Sequence, residues 1–547
     1  MATEITDTAD AVIIGAGFAG MYALHRLRDE FGYSTRVFDR ADDVGGTWYW
    51  NTYPGARCDV ESVFYSYSFS EELEQEWTWT ERYPTQPEIL AYANHVADKF
   101  DLRRSITFET SVAEATFDES NNRWLVTTDR GETVAATYLI TAVGCLSEAR
   151  IPDFEGIESF GGRILHTGHW PRDRVDFDGL RVAVIGTGSS GIQAIPEIAR
   201  DAKTLTVFQR TPHFTLPAGN RPLATEEIDE VKENYRRYRA ICKVSPSGVP
   251  IVPPIGSVLS LPDDVGRAEM NRRWENGGTM FMTAFTDTSR NEDANAVLAS
   301  FVRERIRDIV ADPDTAESLT PHGYPIGAKR ICLGTDYYAT YNRDNVSLVD
   351  VRDNPIERIT ERGIVAGGNE YELDVIIFAT GYDAMTGALT AINIRGVNGL
   401  RLRDEWAAGP RTYLGIASAQ FPNMFMITGP GSPSVLVNVI VSIEQHVDWM
   451  CDLLSHAEEQ GISRIEADLD AQNAWVDEVN DVASRTMFVK ANSWYLGANV
   501  PGKARVFMPY AGGIGPFRER CDKVAAEGYT GFTLTDTATA QIAQASA

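Results

Sequence analysis

Two apolar runs in this chain each end in the same three-glycine pattern, and that repetition restricts the fold more than any other feature. Residues 10–15 (DAVIIG) open Gly15-x-Gly17-x-x-Gly20, and residues 181–186 (RVAVIG) open Gly186-x-Gly188-x-x-Gly191, 171 residues later. A short apolar run without alternation reads as a strand buried on both faces, the kind that parallel sheets contain. A helical pattern follows each loop, through Leu27 and to Arg200, and then a second strand, Thr35 to Phe38 and Leu205 to Phe208. Strand, glycine loop, helix and strand, twice over, predict an α/β fold with two Rossmann-like dinucleotide-binding units. In each loop the first glycine permits the tight turn and the second admits a pyrophosphate to the backbone. The third lets helix and strand pack closely. The helix N-terminus beyond, with Thr187 and Ser189 in the second loop, offers N–H groups and partial positive charge to phosphates.

What stands after the second strand separates the two sites. Nineteen residues after Gly20 is Asp39, whose carboxylate suits ribose hydroxyls and repels a 2′-phosphate. Nineteen residues after Gly191 is Arg210, followed by Thr211. A guanidinium there matches a 2′-phosphate as a forked donor. The first site is therefore expected to take FAD and the second NADPH.

Length and charge narrow the partners. A chain of 547 residues exceeds what one hydrophobic core supports, so several domains are expected. The formal charge of −27 repels nucleic acid and anionic lipid, so neither is an expected partner. The six cysteines are scattered without a C-x-x-C pair, which excludes a zinc ribbon or a dithiol motif and suits a reducing cytoplasm. No 18-residue apolar run occurs, and the start of the chain is acidic where a signal peptide would be basic. These features predict a cytoplasmic protein, monomeric or weakly homo-oligomeric, with no bound metal. Helical spacing at 226–241 and 291–310, around a Pro/Gly-rich stretch at 245–262, predicts a helical insertion at about 218–325. The small polar residues from Thr535 to Ala547 are expected to fray.

Further motifs choose the chemistry. One is Gly45-Gly46-Thr47-Trp48 followed by Tyr53-Pro54-Gly55 and Asp59; another is Phe160-x-Gly162-x-x-x-His166-x-x-x-Trp170-Pro171; a third is Ala379-Thr380-Gly381. Together they resemble the signatures of the class B flavoprotein Baeyer–Villiger monooxygenase family, from about residue 10 to about 533. The resemblance implies that a hydrophobic ketone becomes an ester or lactone with NADPH and O2, through a flavin C4a-peroxide and a tetrahedral adduct. It implies an FAD-binding domain at 1–145, resumed at 383–547, and an NADPH-binding domain at 146–382. It places the catalytic arginine at Arg330 and its orienting carboxylate at Asp59. Lys329 joins Arg210 and Thr211 at the 2′-phosphate, and Trp494 lies beside the nicotinamide nucleotide. Gly46, Thr47, Trp48 and Asp59 are expected around the flavin. His166 is expected to couple domains, and Trp50 to pack in the core. The mostly apolar run at 434–441 is expected to line the substrate cavity through Ser434, Val435, Leu436 and Val439. Two alternatives use the same nucleotide sites: a monooxygenase of amine nitrogen or thioether sulfur, and a non-catalytic redox sensor.

Overall fold

The computed structural model describes residues 4–536. Two sheets, parallel at their centres, grow from the two apolar runs. The first contains β1 (Asp7–Ile14), β2 (Thr35–Phe38), β3 (Ile106–Thr107), β4 (Val112–Asp118), β5 (Arg123–Thr128) and β6 (Thr133–Thr141). The second contains β7 (Arg163–His166), β8 (Arg181–Ile185), β9 (Thr204–Gln209), β10 (Val346–Asp350) and β11 (Val375–Phe378). The chain then returns to the first sheet, adding β12 (Asn393–Arg395) beside β4 and β13 (Met424–Met426) beside the end of β6.

The first sheet runs β12-β4-β5-β6-β1-β2-β3, and the second runs β10-β9-β8-β11-β7. In each, the strand that ends in a glycine loop sits between two parallel neighbours: β1 between β2 and β6, β8 between β9 and β11. Connections leave in opposite directions there, so a crevice opens beyond the strands' carboxyl ends, where ligands bind in such sheets. Val12, Ile13, Val182 and Val184 are fully buried. Each such side chain contributes about 1.5–3 kcal/mol relative to exposure.

Helix α1 (Phe18–Leu24) is buried at every position and continues as a π turn over His25–Glu30. Helix α2 (Ser189–Asp201) buries Ile192, Ile195, Ile198 and Ala199, the 3–4 spacing of an amphipathic face. Within 218–325 the chain forms α3 (Thr225–Val244), α4 (Asp263–Asn276) and α5 (Glu292–Ile309). The stretch 245–262 between α3 and α4 has no helix or strand. Its carbonyls still need donors, and buried Arg273 supplies one to Pro253 O at 2.8 Å. Arg273 also pairs with Glu269 at 2.6 Å.

At the C-terminal end the expectation of fraying needs correction. Thr535 and Asp536 belong to a strand, Phe532–Asp536, paired antiparallel with Ile462–Ala467. Leu534 packs against the main core, which anchors that strand. The remainder, 537–547, lies outside the described residues. Among the described residues no helix is long and apolar enough to cross a membrane.

A buried ion pair ties α3 to the first sheet's segment. Arg239 of α3 meets Glu74 at 2.7 Å, and both side chains are less than 10% exposed. Arg239 also donates to Ser66 Oγ at 2.8 Å and Tyr67 O at 3.2 Å. Burial raises the Glu74 carboxyl, and Arg239 pulls it back. Removing one partner strands a charge and typically costs about 3–5 kcal/mol, whereas replacing both with apolar groups costs far less. Glu74→Ala is therefore expected to lower the thermal midpoint more than Glu74→Met combined with Arg239→Met, as read by circular dichroism melting.

Candidate functional site

The crevices of both sheets open into one cavity of about 1270 Å³. At the first, Gly15 has φ +105°, and a Cβ there would lie 2.5 Å from Ala142 O. A Cβ at Gly20 would lie 1.8 Å from Gly15 O, so the third glycine is where helix and loop touch. Gly17 faces Gly46, with a would-be Cβ 3.3 Å from the Gly46 Cα. Asp39 Oδ2 accepts from the Ala16 N–H at 2.6 Å, and Oδ1 accepts from Ala41 N–H at 2.8 Å. Burial raises its carboxyl, and these two N–H donors oppose the rise. Asp39 thus braces the glycine loop while facing the cavity, where its free lone pairs fit ribose hydroxyls. Thr47 and Trp48 begin a single helical turn over Thr47–Trp50. The Trp48 indole donates to Tyr65 OH at 3.1 Å, which holds it as a flat wall. Glycine backbone, acid and aromatic wall fit a flavin dinucleotide with an unphosphorylated ribose.

The second crevice repeats the sterics and changes the charge. A Cβ at Gly186 would lie 2.5 Å from Ala379 O, and one at Gly191 would lie 2.3 Å from Gly186 O. At Gly188 a Cβ would meet no atom within 4 Å, so the middle of this loop faces open space. No side chain caps α2, which leaves its first N–H groups to a guest. Thr187 Oγ1 donates to Thr211 O at 3.2 Å, fixing the loop to the end of β9. Ser189 Oγ lies 3.4 Å from Cys332 Sγ. Arg210, Thr211, His213 and Lys329 gather at one side of the cavity. The Lys329 ammonium stands 4.8 Å over the Tyr324 ring. Burial, and then Arg210, lower its pKa. Burial, and then Lys329, push His213 down to about 4. A dianionic phosphate would relieve this crowding of like charge, so the donor set fits NADPH.

Between the crevices stands a forked ion pair. Arg330 donates from Nε to Asp59 Oδ2 at 3.1 Å, and from Nη2 to Oδ1 at 2.8 Å and Oδ2 at 2.6 Å. Its Nη1 donates to Val435 O at 2.8 Å. Asp59 raises the guanidinium's pKa further, so the charge is permanent. The walls around it are apolar or kept neutral. Burial pushes the Cys332 thiol up to about 11 and the Tyr495 phenol up to about 12.

The cavity therefore gathers Gly15, Gly17, Asp39, Gly46, Thr47, Trp48, Asp59, Gly186, Thr187, Gly188, Ser189, Arg210, Thr211, Lys329, Arg330, Val435, Val439 and Trp494. Gly20 and Gly191 lie beneath their loops. Ser434 and Leu436 depart from expectation. Ser434 is fully buried with Oγ 3.9 Å from Met385 S, and Leu436 packs toward Tyr495 and Phe507. Trp50 also departs, since it lines the cavity between the Arg40 guanidinium at 5.2 Å and the His169 ring at 5.6 Å. His166 is 4% exposed, and its Nδ1 accepts from the Gly168 N–H at 2.9 Å. Burial pushes its pKa down to about 4, which suits a structural position. Sequence reasoning missed His213 and Gln193. His213 follows Arg210-Thr211 by two residues and was within reach of that motif, whereas a glutamine in a helix carries no signal.

Comparisons with known proteins agree with this geometry. Residues 9–218 match the family described as Flavin-binding monooxygenase-like. A Baeyer–Villiger monooxygenase of Pseudooceanicola batsensis is 45% identical over 98% of this chain and 99% of its own length. A phenazine N-monooxygenase of Lysobacter antibioticus is 41% identical, covering 96% of this chain and 97% of its own. Among solved structures, oxidized steroid monooxygenase bound to NADP superposes with a TM-score of 0.92 at 51% identity, over 97% of this chain and 100% of that one. By that identity along nearly its whole length, the chain belongs to the FAD- and NADPH-dependent Baeyer–Villiger monooxygenases of the flavin-binding monooxygenase-like family.

Proposed function

We propose that this enzyme inserts one oxygen atom from O2 beside the carbonyl of a hydrophobic ketone, with Arg330 as the catalytic residue and Asp59 as its orienting partner. The observation that supports this most is the forked pair itself: a permanent cation, held on two edges, at the junction of the two crevices. FAD and NADPH, when bound, supply the reducing equivalents and the activated oxygen. The guanidinium's task is to stabilise negative charge on the attacking oxygen and then on the former carbonyl oxygen. A lysine would lose its charge more readily when buried and could not fork. Asp59 keeps the half-buried cation paired and fixes its plane. Val435 and Val439 present an apolar wall to the ketone and help exclude water. The two dinucleotides share the cavity, so its volume sets no single ketone size.

The strand memberships support FAD-binding segments at 1–145 and 383–547, and an NADPH-binding segment at 146–382 with its insertion at about 218–325. The six cysteines are all free, five of them buried, which favours a reducing cytoplasm. Among the described residues, five of the nine exposed large apolar side chains lie between Val244 and Val265, a short stretch that favours a monomer or at most a weak homo-oligomer. The relative that oxidises phenazine nitrogen favours one second reading, nitrogen oxygenation. Product identification with a ketone panel and an aromatic N-heterocycle separates the two.

Two outcomes test the site. Arg210→Ala is expected to raise the Michaelis constant for NADPH about tenfold or more and leave that for NADH nearly unchanged, because one charge-assisted phosphate contact is lost. Equal losses for both nucleotides would assign Arg210 to the fold instead. Arg330→Ala is expected to keep oxidising NADPH while ester formation falls about 10²–10³-fold, the usual effect of removing a preorganised oxyanion donor. Hydrogen peroxide should replace the ester, and Asp59→Ala should show a milder form. Ester and peroxide counted per NADPH decide it, and full coupling in Arg330→Ala would refute the assignment.

A further inference from the structure

The loop that delivers Asp59 does not touch the second crevice through Asp59 alone. Gln193, on the second turn of α2, reaches across to it with both ends of its amide. Its Oε1 accepts from Tyr53 OH at 2.8 Å and from the Arg57 N–H at 3.4 Å. Its Nε2 donates to Arg57 O at 3.0 Å. Burial keeps the Tyr53 phenol protonated and therefore a donor. The backbone follows the same path. Gly55 has φ +80°, and a Cβ there would lie 2.4 Å from Gln193 O and 3.0 Å from Glu197 Cγ. Only a residue without a side chain lets the loop lie this close to the helix. The far side of the loop is held by the first unit: Cys58 N–H donates to Pro84 O at 3.1 Å, and Gln86 N–H donates to Ala56 O at 2.9 Å.

We propose that Gln193 is a positioning residue. It fastens the Tyr53–Asp59 loop to the helix whose N-terminus receives the NADPH phosphates, so that the seating of the nucleotide and the placement of the Asp59–Arg330 pair are mechanically one event. The inference rests on the reading of Asp59 given above. Its logic is distance: Arg57, gripped on both its N–H and its C=O, is two residues from Asp59. A rotation of α2 toward a bound pyrophosphate moves Arg57 with it. Asp59 in turn holds Arg330 by two nitrogens. A fork that must meet a developing charge loses effect with displacements of a fraction of an ångström.

Gln193→Met preserves side-chain length and removes all three hydrogen bonds, and it is compared with Asp59→Ala and the double variant. FAD content and melting temperature serve as folding controls, and the readouts are ester and hydrogen peroxide per NADPH together with the Michaelis constant for NADPH. Gln193→Met is expected to retain FAD and to lower the ester-to-peroxide ratio about tenfold, the scale of one or two lost hydrogen bonds. In the Asp59→Ala background the same change should shift the ratio less than about twofold, because the residue through which it acts is gone. Full additivity would mean that Gln193 acts on the nucleotide directly, and wild-type coupling in Gln193→Met would mean that the loop needs no such fastening; either overturns the inference while leaving the Asp59 reading intact. Full coupling in Asp59→Ala alone would overturn that reading, and this inference with it. Should Gln193→Met fail to fold, Tyr53→Phe removes one leg of the same bridge and should show a smaller shift that again vanishes without Asp59.

Discussion

A guanidinium half-buried in a cavity wall needs its counter-charge, and here the two arrive from different halves of the chain. Asp59 lies between β2 and β3 of the first sheet's segment, whereas Arg330 lies between β9 and β10 of the second. Val435, which accepts a further Arg330 N–H, comes after the chain has returned to the first sheet. Three distant segments therefore meet at one side chain. Misplacing any of them leaves a half-buried cation short of acceptors. The mutual position of the two crevices is constrained by the group that is to work between them.

Charge is arranged on two scales. The chain as a whole is strongly acidic, and most of its surface arginines are spent on nearby carboxylates, as in Arg181 with Asp374 and Arg221 with Glu227. At the second crevice the pattern reverses. The charge that most affects Lys329 is Arg210, of the same sign, and the one that most affects His213 is Lys329. An uncompensated positive spot on an acidic protein is selective by contrast: it attracts a phosphate at short range, while the surrounding field discourages polyanions.

The parts of this arrangement that could be read in advance are those set by local sterics. Gly15, Gly20, Gly186 and Gly191 each occupy a place where a Cβ would strike a carbonyl oxygen within 2.5 Å, a demand that the spacing of the motif already states. The continuous apolar runs of β1 and β8 likewise announce their burial. Residues whose role depends on the path of the rest of the chain were not readable. Ser434 has φ +32° and begins a 3-10 turn over Ser434–Leu436, so the run does not present one face. Val435 turns to the cavity, and its two neighbours turn away. Trp50 looks like core by composition, but the helical turn it ends brings it beside Arg40, which sits just past β2, and His169. Gln193 could not be found at all, because its partners Tyr53 and Arg57 are about 140 residues away.

The two glycine loops are alike in sequence but not in surroundings, and the difference bears on how each guest comes and goes. At the first, Gly17 is met by Gly46, so the Gly45–Trp48 segment closes over the loop from the same unit. Trp48 is 8% exposed and tied to Tyr65. A dinucleotide seated there is covered by chain that would have to move before it left. At the second, nothing stands within 4 Å of the Cβ position of Gly188, and Arg210 on the same cavity is exposed. That site is open where the first is closed. A flavin serves many turnovers and gains from enclosure, whereas a nicotinamide coenzyme is consumed and must be exchanged in each one. The same motif meets both needs because its three glycines govern only the approach of the phosphates. The residence of each guest is left to whatever the rest of the chain lays over the loop.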